Sequence, residues 1–413
     1  MNSITNQRIL DTYELECKIV TPLFMGDAQF DPKLRTQSFN GVLRWWFRTA
    51  RGSIEDEKRL FGWASNESNQ GLVRLFIKDF DNLKCKPFSK EFNEKGYVRN
   101  DSGLNYIGFP LDPRFKKDDP KPQRRYIIES QTFNVTISFH PMATEDDKKK
   151  FFATLWLAFN LGNFGSRARR GFGSIKINSI KNHDINNFYK LSFNPNFKDF
   201  KDWINSNLSK IQKYLEVSNN FFSSFRIYRI EKSNLQKLQN WIKEIQVGRT
   251  GYYLIKNWGK DTIENQMDLL DFMGFLLAAF RSYRKPDYTN AKNILQASNE
   301  NISKSNINNL IFERAIFGLP INFYFSSIKK GDTLNARLEK YTLRRASPLL
   351  IKILEFNNTY EGIFIVIKSQ FLPEGYSLIF SRQKVSLPQE NIWKAIDNFI
   401  DSLKNKNLVS EIN

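Results

Sequence analysis

The sequence is poor in the residues that most often bind metals or form crosslinks. Its 413 residues include two cysteines and two histidines. Cys17 and Cys85 are far apart and have no further ligand-type residues beside them. His140 and His183 lack the spacing of a metal-binding pair. We therefore expect no zinc site, no disulfide framework and no cofactor.

Long apolar runs are also missing. No stretch of about 18 apolar residues could cross a bilayer. A basic-then-apolar N-terminal signal and a lipidation motif are both absent as well. The sequence therefore predicts a cytoplasmic protein without a membrane partner.

Acidic residues are too few to balance the basic ones. The chain has 62 Lys and Arg against 43 Asp and Glu, a formal net charge of +19. Nucleic acid is the first candidate partner, because basic side chains release counterions from a polyphosphate. An anionic membrane surface is the alternative, but no long amphipathic helix carries a basic face separate from its core face. The excess charge favours nucleic acid.

Aromatic residues are abundant, and the order of predicted elements indicates the fold. With 37 Phe and 8 Trp in 413 residues, the chain can fill two globular cores. In the first half, hydrophobic periodicity predicts strand, helix, strand, strand, helix and strand, at 13–21, 38–52, 72–78, 126–139, 144–162 and 172–180. This is the ferredoxin-like βαββαβ order shared by RNA-recognition domains.

The second half has strands and helices in similar proportions. We predict an α+β fold with tandem ferredoxin-like domains and insertions. Their bounds are 1–181 and 220–413, with a polar, Asn-rich linker region at 182–219. Residues 84–123 are rich in Pro, Gly, Lys and Asp and are predicted to form a long, mobile insertion.

The first basic segment, 41–51, is predicted to be helical. At about 100° per residue, Arg44, Arg48 and Arg51 lie within roughly 60° of one another on one face. Planar, always-charged guanidinium groups suit phosphates, so this face is predicted to grip a nucleic-acid backbone. A solvated arginine face without such a role is the alternative.

The second basic segment, 162–173, joins a predicted helix to a predicted strand and contains four glycines. Glycines let backbone amides approach a phosphate, and Arg167, Arg169 and Arg170 supply charge there. Phe164 and Phe172 are predicted to stack on bases. No Gly-Lys-Ser/Thr closes the segment, so it is not a nucleotide-triphosphate loop.

A third basic segment, 340–348, places Arg344 and Arg345 just before a predicted strand. This pair is predicted to line the same channel as the glycine-rich segment. The alternative is a structural role, in which the two arginines bridge acidic groups between the domains.

Several of these segments together resemble the RAMP superfamily, and within it the first Cmr subunit of type III-B CRISPR effector complexes. The resemblance lies in TPLFMG at 21–26, KLR at 33–35, SFNGVLRWWFR at 38–48, the glycine-rich loop 162–173, GLPI at 318–321 and RRASPL at 344–349. It touches both halves of the chain and excludes the insertion at 84–123.

The resemblance implies two ferredoxin-like domains, assembled with other Cmr and RAMP subunits on a CRISPR RNA. It implies contacts with the 3′ region of that RNA and with target RNA, and Lys33 and Arg35 join the arginines above as RNA-binding residues. Catalysis in that family belongs to other subunits, so it implies a non-catalytic binder.

A second functional class stays open, because some RAMP relatives are metal-independent endoribonucleases that process CRISPR transcripts. Such an enzyme needs a general acid or base, and His140 and His183 are the only imidazoles in the chain. An ordinary surface position is the alternative for each.

Overall fold

A computed structural model describes residues 11–27, 31–50, 52–64, 68–78, 82–88, 102–111, 124–217, 225–245, 262–281, 285–297 and 310–413. Strands of the first half are β1 (Asp11–Ile19), β2 (Trp63–Ala64), β3 (Ser68–Asn69), β4 (Val73–Lys78), β5 (Cys85–Pro87), β6 (Arg125–Ile127), β7 (Thr132–Phe139) and β8 (Ile175–Ile180). Its helices are α1 (Thr36–Thr49), α2 (Ile54–Phe61), α3 (Gly103–Gly108), α4 (Glu145–Asn160) and α5 (Phe200–Tyr214).

Strands of the second half are β9 (Phe225–Ile230), β10 (Ile321–Phe325), β11 (Lys330–Leu338), β12 (Tyr341–Leu343), β13 (Leu349–Phe356), β14 (Thr359–Ile367), β15 (Ser377–Phe380), β16 (Gln383–Val385) and β17 (Val409–Glu411). Its helices are α6 (Leu238–Glu244), α7 (Gln266–Arg281), α8 (Asp287–Ala297) and α9 (Lys394–Lys404). The predicted mixture of helices and antiparallel sheets is confirmed.

The main sheet of the first half pairs its strands in the order β4-β7-β1-β8, all antiparallel. Helix α1 begins two residues before Ser38, and its N-cap residue, Arg35, makes no capping hydrogen bond with its side chain. The predicted helix start at residue 38 was therefore two residues late. The helix starts early because Phe39, in its first turn, already packs in the core.

The second half contains a sheet with the order β13-β14-β9-β17. Counted along the chain, its strands pair as second, third, first and fourth, the same order as in the first half. A further antiparallel sheet, β10-β11-β15-β16 with β12 beside β11, lies within this half.

Strand β13 is buried on both faces, and this joins the two halves. Leu349, Ile351 and Ile353 pack in a core with α7 and α9, whereas Leu350 and Leu354 pack in the core of the first half. A strand covered on both faces reads as a continuous apolar run, as 349–354 nearly does. The halves are therefore joined by a strand whose two faces pack in two different cores.

Two segments predicted to lie outside the compact units are partly packed into them. In the predicted insertion 84–123, Leu104 and Ile107 of α3 are buried, and α3 contacts α7. In the predicted linker 182–219, α5 packs on α4, with the rings of Trp203 and Trp156 5.3 Å apart. In 84–123, low periodicity over a long window concealed the six-residue helix α3.

Both cysteines are free thiols. Within the ranges given above, His, Cys, Asp and Glu side chains do not gather in groups of three or more that could hold a metal ion. In that same part of the chain, every helix is too short or too polar to cross a bilayer.

Candidate nucleic-acid interface

The arginine face of α1 holds a carboxylate from the next helix. Arg44 Nε lies 2.7 Å from Glu57 Oε1, and Arg48 donates from Nε and Nη2 to the two oxygens of Glu57, each at 2.7 Å. The Glu57 side chain is only 7% exposed. Two guanidinium groups predicted to grip phosphate thus fix α2 against α1, while Arg51 lies outside the described residues.

This pair of contacts predicts a pH dependence of stability. Burial by itself raises the pKa of Glu57, but the hydrogen bonds from Arg48 and Arg44 outweigh it and hold the pKa below its ordinary value of 4.5. The folded state therefore favours the ionised carboxylate of Glu57. Its contribution to the free energy of unfolding is complete above pH 4.5 and is lost as the pH falls through the pKa of Glu57 in the folded protein.

We expect Glu57→Gln to lower the free energy of unfolding by about 1–3 kcal/mol at pH 7. Urea unfolding at a series of pH values should show the gap to wild type narrowing below pH 4.5. A gap of constant size would contradict the ion-pair assignment.

The glycines of the loop 162–173 permit close approach between chain segments. Gly173 has φ +74°, and a Cβ there would overlap the carbonyl oxygen of Phe164. The Gly173 amide donates to the Pro22 carbonyl at 2.9 Å, and the Ser166 amide donates to the Phe24 carbonyl at 2.7 Å. The loop is thereby pinned to the residues that follow β1, and these amides are already occupied.

The two aromatic rings of this loop belong to the core. Phe164 and Phe172 are both 0% exposed. The Phe164 ring stacks on Phe39 with centroids 4.5 Å apart, and Phe172 packs edge-on against Phe24. Neither ring has a free face, so the prediction that they stack on bases is corrected by their burial.

The three loop arginines are held by backbone carbonyls. Arg167 Nε donates to the Ile107 carbonyl at 2.7 Å, Arg170 Nη2 donates to the Phe317 carbonyl at 3.1 Å, and Arg169 donates to the Ser347 carbonyl. Burial lowers the pKa of Arg167 and of Arg169 to about 10 and the pKa of Arg170 to about 9. All three remain charged at neutral pH.

Arginines from two other segments meet the loop. Burial is the largest cause of the lowered pKa of Arg169, and charge repulsion from Arg345 is the next. Repulsion from Arg281 lowers the pKa of Arg167 and of Arg170 in the same way. Arg345 donates to the Ser369 hydroxyl at 2.9 Å and the Gln370 carbonyl at 3.0 Å.

We call Arg167, Arg169, Arg170, Arg281 and Arg345 the guanidinium cluster. None of its members forms an ion pair with another described residue. Arg170 Nη1, Arg281 Nε and Arg345 Nε are buried without a hydrogen-bond partner in that same set. The alternative role for Arg345, bridging acidic groups, does not match its contacts, and Arg344 beside it is exposed.

Sequence reasoning missed Arg281 and Glu57. Arg281 ends an apolar helix, with its guanidinium 5.1 Å from the Phe317 ring centroid. The sequence feature that could have revealed it is a single basic residue at the C-terminal end of an otherwise apolar helix. Glu57 sits among charged residues of α2 that look solvent-facing, and its burial depends on where α1 packs.

A cleft of about 430 Å³ opens between α1 and the glycine-rich loop. Its lining residues include Ser38, Gly41, Trp45, Ser166 and Arg169. The guanidinium of Arg169 lies over the Trp45 ring, 4.8 Å from its centroid.

Lys33 and Arg35 are exposed close to this cleft. The Lys33 amide donates to the Met25 carbonyl at 2.9 Å, and Arg35 Nη1 donates to the Gly26 carbonyl at 3.4 Å. Met25 and Gly26 both line the cleft.

The imidazoles lie at the opposite end of the first sheet. His140 follows Phe139, the register partner of Asp11, and the His183 ring lies 5.4 Å from that of Tyr13. The glycine-rich loop instead contacts the residues that follow Ile19, at the other end of β1. At about 3.3 Å per residue, the two ends of this strand are roughly 25 Å apart. His140 Nδ1 accepts from the Met142 amide at 3.2 Å.

The sequence of the first half matches a known family. The model of the RAMP superfamily matches residues 16–176. The Cmr subunit Cmr1-2 of the Pyrococcus furiosus CRISPR system is 31% identical over 187 residues, which cover 41% of this chain and 95% of that protein. The chain belongs to the Cmr1 family of the RAMP superfamily.

The similarity to Cmr1 proteins extends over the second half. Cmr1-1 of the same organism is 24% identical over 381 residues, covering 88% of this chain and 89% of that one. The apo crystal structure of Pyrococcus furiosus Cmr1 has a TM-score of 0.52 at 19% identity, covering 97% of this chain and 98% of that one. The Cmr1 fold thus accounts for both halves.

Proposed function

We propose that this Cmr1-family chain is a non-catalytic RNA-binding subunit of a cytoplasmic type III-B CRISPR ribonucleoprotein. It assembles with other Cmr subunits and contacts the 3′ region of the CRISPR RNA and the target RNA. The names of its relatives as Cmr subunits of a CRISPR system support the assembly. The identical strand pairing order in the two halves supports two ferredoxin-like units.

The observation that carries the proposal is the guanidinium cluster. Five like charges crowd together, partly desolvated, although burying an unpaired charge is costly. An external polyanion relieves both the repulsion and the unmet hydrogen bonds, and single-stranded RNA supplies phosphates at suitable density. We assign direct phosphate contacts to exposed or half-buried groups: Lys33, Arg35, Arg167, Arg169, Arg344 and Arg345.

The role of the remaining predicted residues is smaller. Arg170 is buried and sets the local charge. Arg44 and Arg48 share the single carboxylate of Glu57, so the three side chains together keep one positive charge, and Arg48 is 62% exposed.

The test uses exposed residues, whose removal leaves the core intact. We expect Lys33→Gln combined with Arg35→Gln and Arg344→Gln to weaken single-stranded RNA binding at least about tenfold at moderate salt. The slope of log affinity against log salt should fall by roughly 2, because each lost phosphate contact contributes about 0.7. Filter binding of the purified chain across a salt series measures both.

A matched control removes the same charge elsewhere. Lys190, Lys198 and Lys201 are exposed, and converting all three to Gln should leave the affinity within about threefold of wild type. Equal losses in the two triple variants, or no loss in either, would refute a localised RNA site.

The endoribonuclease alternative is disfavoured because both imidazoles lie far from the guanidinium cluster. Incubating the chain with a repeat-containing transcript and a chelator should leave the RNA intact. Cleavage that His140→Ala abolishes would overturn the non-catalytic proposal.

A further inference from the structure

We propose that the bound RNA strand continues from the guanidinium cluster onto the outward face of the sheet β10-β11-β15-β16, where one of its bases stacks on Tyr324. This inference rests on the proposed function and extends it to a second contact surface. That surface is separate from the cleft beside α1 and from the glycine-rich loop.

The two faces of this sheet differ in burial. Side chains alternate along a strand, so Phe323 and Leu334 pack in the core while the side chains next to them point the other way. We call this outward side the open face. All of its members are exposed or half-buried, and they include Asn322, Tyr324, Thr333, Asn335, Arg337 and Lys384. Along β11, from residue 331 to residue 337, it is roughly 20 Å long at about 3.3 Å per residue.

Tyr324 has the geometry of a platform for stacking. Its side chain is 72% exposed. It lies opposite Gly331 in the strand register, and a Cβ at Gly331 would come within 3.0 Å of Tyr324 Cδ2. The ring therefore leans across the glycine towards β11, and its high exposure leaves the outer side to solvent. Exposed rings on a sheet are groups on which proteins stack the unpaired bases of RNA.

The open face carries positive charge and no carboxylate. The five strands of this sheet contain one acidic residue, Asp332, which lies opposite Phe323 on the core side. Arg337 and Lys384 are exposed, and in the part of the chain that the structure describes neither forms an ion pair with a carboxylate. Phosphates would gain from these cations and would meet no like charge. An acidic protein would fit the charge too, but the exposed ring beside it favours RNA.

The open face lies next to the guanidinium cluster. Strand β12 pairs with β11 so that Thr342 is opposite Arg337, and Arg344 and Arg345 follow β12 directly. The Arg345 amide and carbonyl bond the backbone of Leu319, two residues before β10 begins. An RNA strand held by Arg344 and Arg345 would therefore lie at the border of this sheet and could continue across it.

The test compares oligouridylates of about 5 and about 12 nucleotides, because only the longer strand can cover both surfaces. We expect Tyr324→Ala to weaken binding of the long strand about tenfold and to leave the affinity for the short strand within about twofold. Tyr324→Phe keeps the ring and should bind both strands like wild type. Tyr341→Ala is the matched control, because this ring is 59% exposed but belongs to the other side of the sheet.

The charges of the open face are tested in the same assay. Arg337→Gln with Lys384→Gln should lower the slope of log affinity against log salt by about 1.4 for the long strand, since each phosphate contact contributes about 0.7. The slope for the short strand should not change. Lys190→Gln with Lys198→Gln removes the same charge at exposed positions elsewhere and should leave both slopes unchanged. All of these side chains are exposed, so every variant should keep the melting temperature of wild type.

The other outcomes separate the two proposals. If Tyr324→Ala and the double variant bind the long strand like wild type, the second surface is refuted while the proposed RNA binding stands. If wild type binds neither strand, both proposals fail. A loss in Tyr324→Phe equal to that in Tyr324→Ala would refute stacking. If Tyr324→Ala binds the long strand normally but no longer assembles with the other recombinant Cmr subunits, the open face docks a protein and the RNA contact is refuted.

Discussion

Phe164→Ala should lower the free energy of unfolding by about 3–5 kcal/mol. The ring is 0% exposed and lies between Phe39, at 4.5 Å, and Phe159, at 5.0 Å between centroids. Truncation removes these contacts and leaves a cavity that the surrounding β-sheet and helices only partly fill. Urea denaturation followed by tryptophan fluorescence measures the change.

The control for this prediction is Phe76→Ala on β4, where the ring is 49% exposed and the expected loss is below about 1 kcal/mol. Phe164→Leu, which keeps most of the volume, should retain RNA affinity. A loss of RNA affinity in Phe164→Leu with unchanged unfolding free energy would restore the base-stacking role that burial argues against.

Gly103→Ala should be strongly destabilising, lowering the free energy of unfolding by about 3 kcal/mol or more. Gly103 begins α3, which packs backbone to backbone against α7. A Cβ there would overlap the Asp271 carbonyl oxygen and the Phe275 amide nitrogen, neither of which can rotate away. The helices must separate, and the hydrogen bond from the Leu104 amide to Asp271 Oδ1, now 2.8 Å, would lengthen.

Gly41→Ala provides the opposite result from the same substitution. Its Cβ enters open space in a helix interior, so the free energy of unfolding should rise by about 0.5–1 kcal/mol. Thermal melting of the two variants side by side separates packing from helix propensity. If Gly103→Ala leaves the melting temperature unchanged or raises it, the close contact between α3 and α7 is wrong.

The elements of the fold were largely predictable because periodicity is local. Periodicity predicted a strand at 72–78 and a helix at 144–162, and β4 and α4 begin and end within two residues of those bounds. Leu104 and Ile107 show where such reasoning stops. Their six-residue helix is too short for a clear period, and it is stabilised by a helix more than 150 residues away in the chain.

The candidate site was predictable in its location and not in its detail. Glycines and arginines correctly marked 162–173 as unusual, and the contact between Arg169 and the Ser347 carbonyl brings it to the segment of Arg345. Arg44 and Phe164 illustrate the limit. A basic residue beside an aromatic one describes an RNA-binding surface and an ion-paired core edge equally well, and only the tertiary positions of Glu57 and Phe39 distinguish the two.

The two-faced burial of β13 has a consequence for how the molecule holds together. Pulling the halves apart would expose Leu350 and Leu354 and separate Lys352 Nζ from the Gly162 carbonyl, to which it now donates at 2.8 Å. It would also break the hydrogen bond from the Ile351 amide to the Arg169 carbonyl. We therefore expect the two halves, whose main sheets have the same strand order, to unfold together. Neither repeat is a removable module, and an RNA strand lying across the glycine-rich loop would rest on the joint that makes them inseparable.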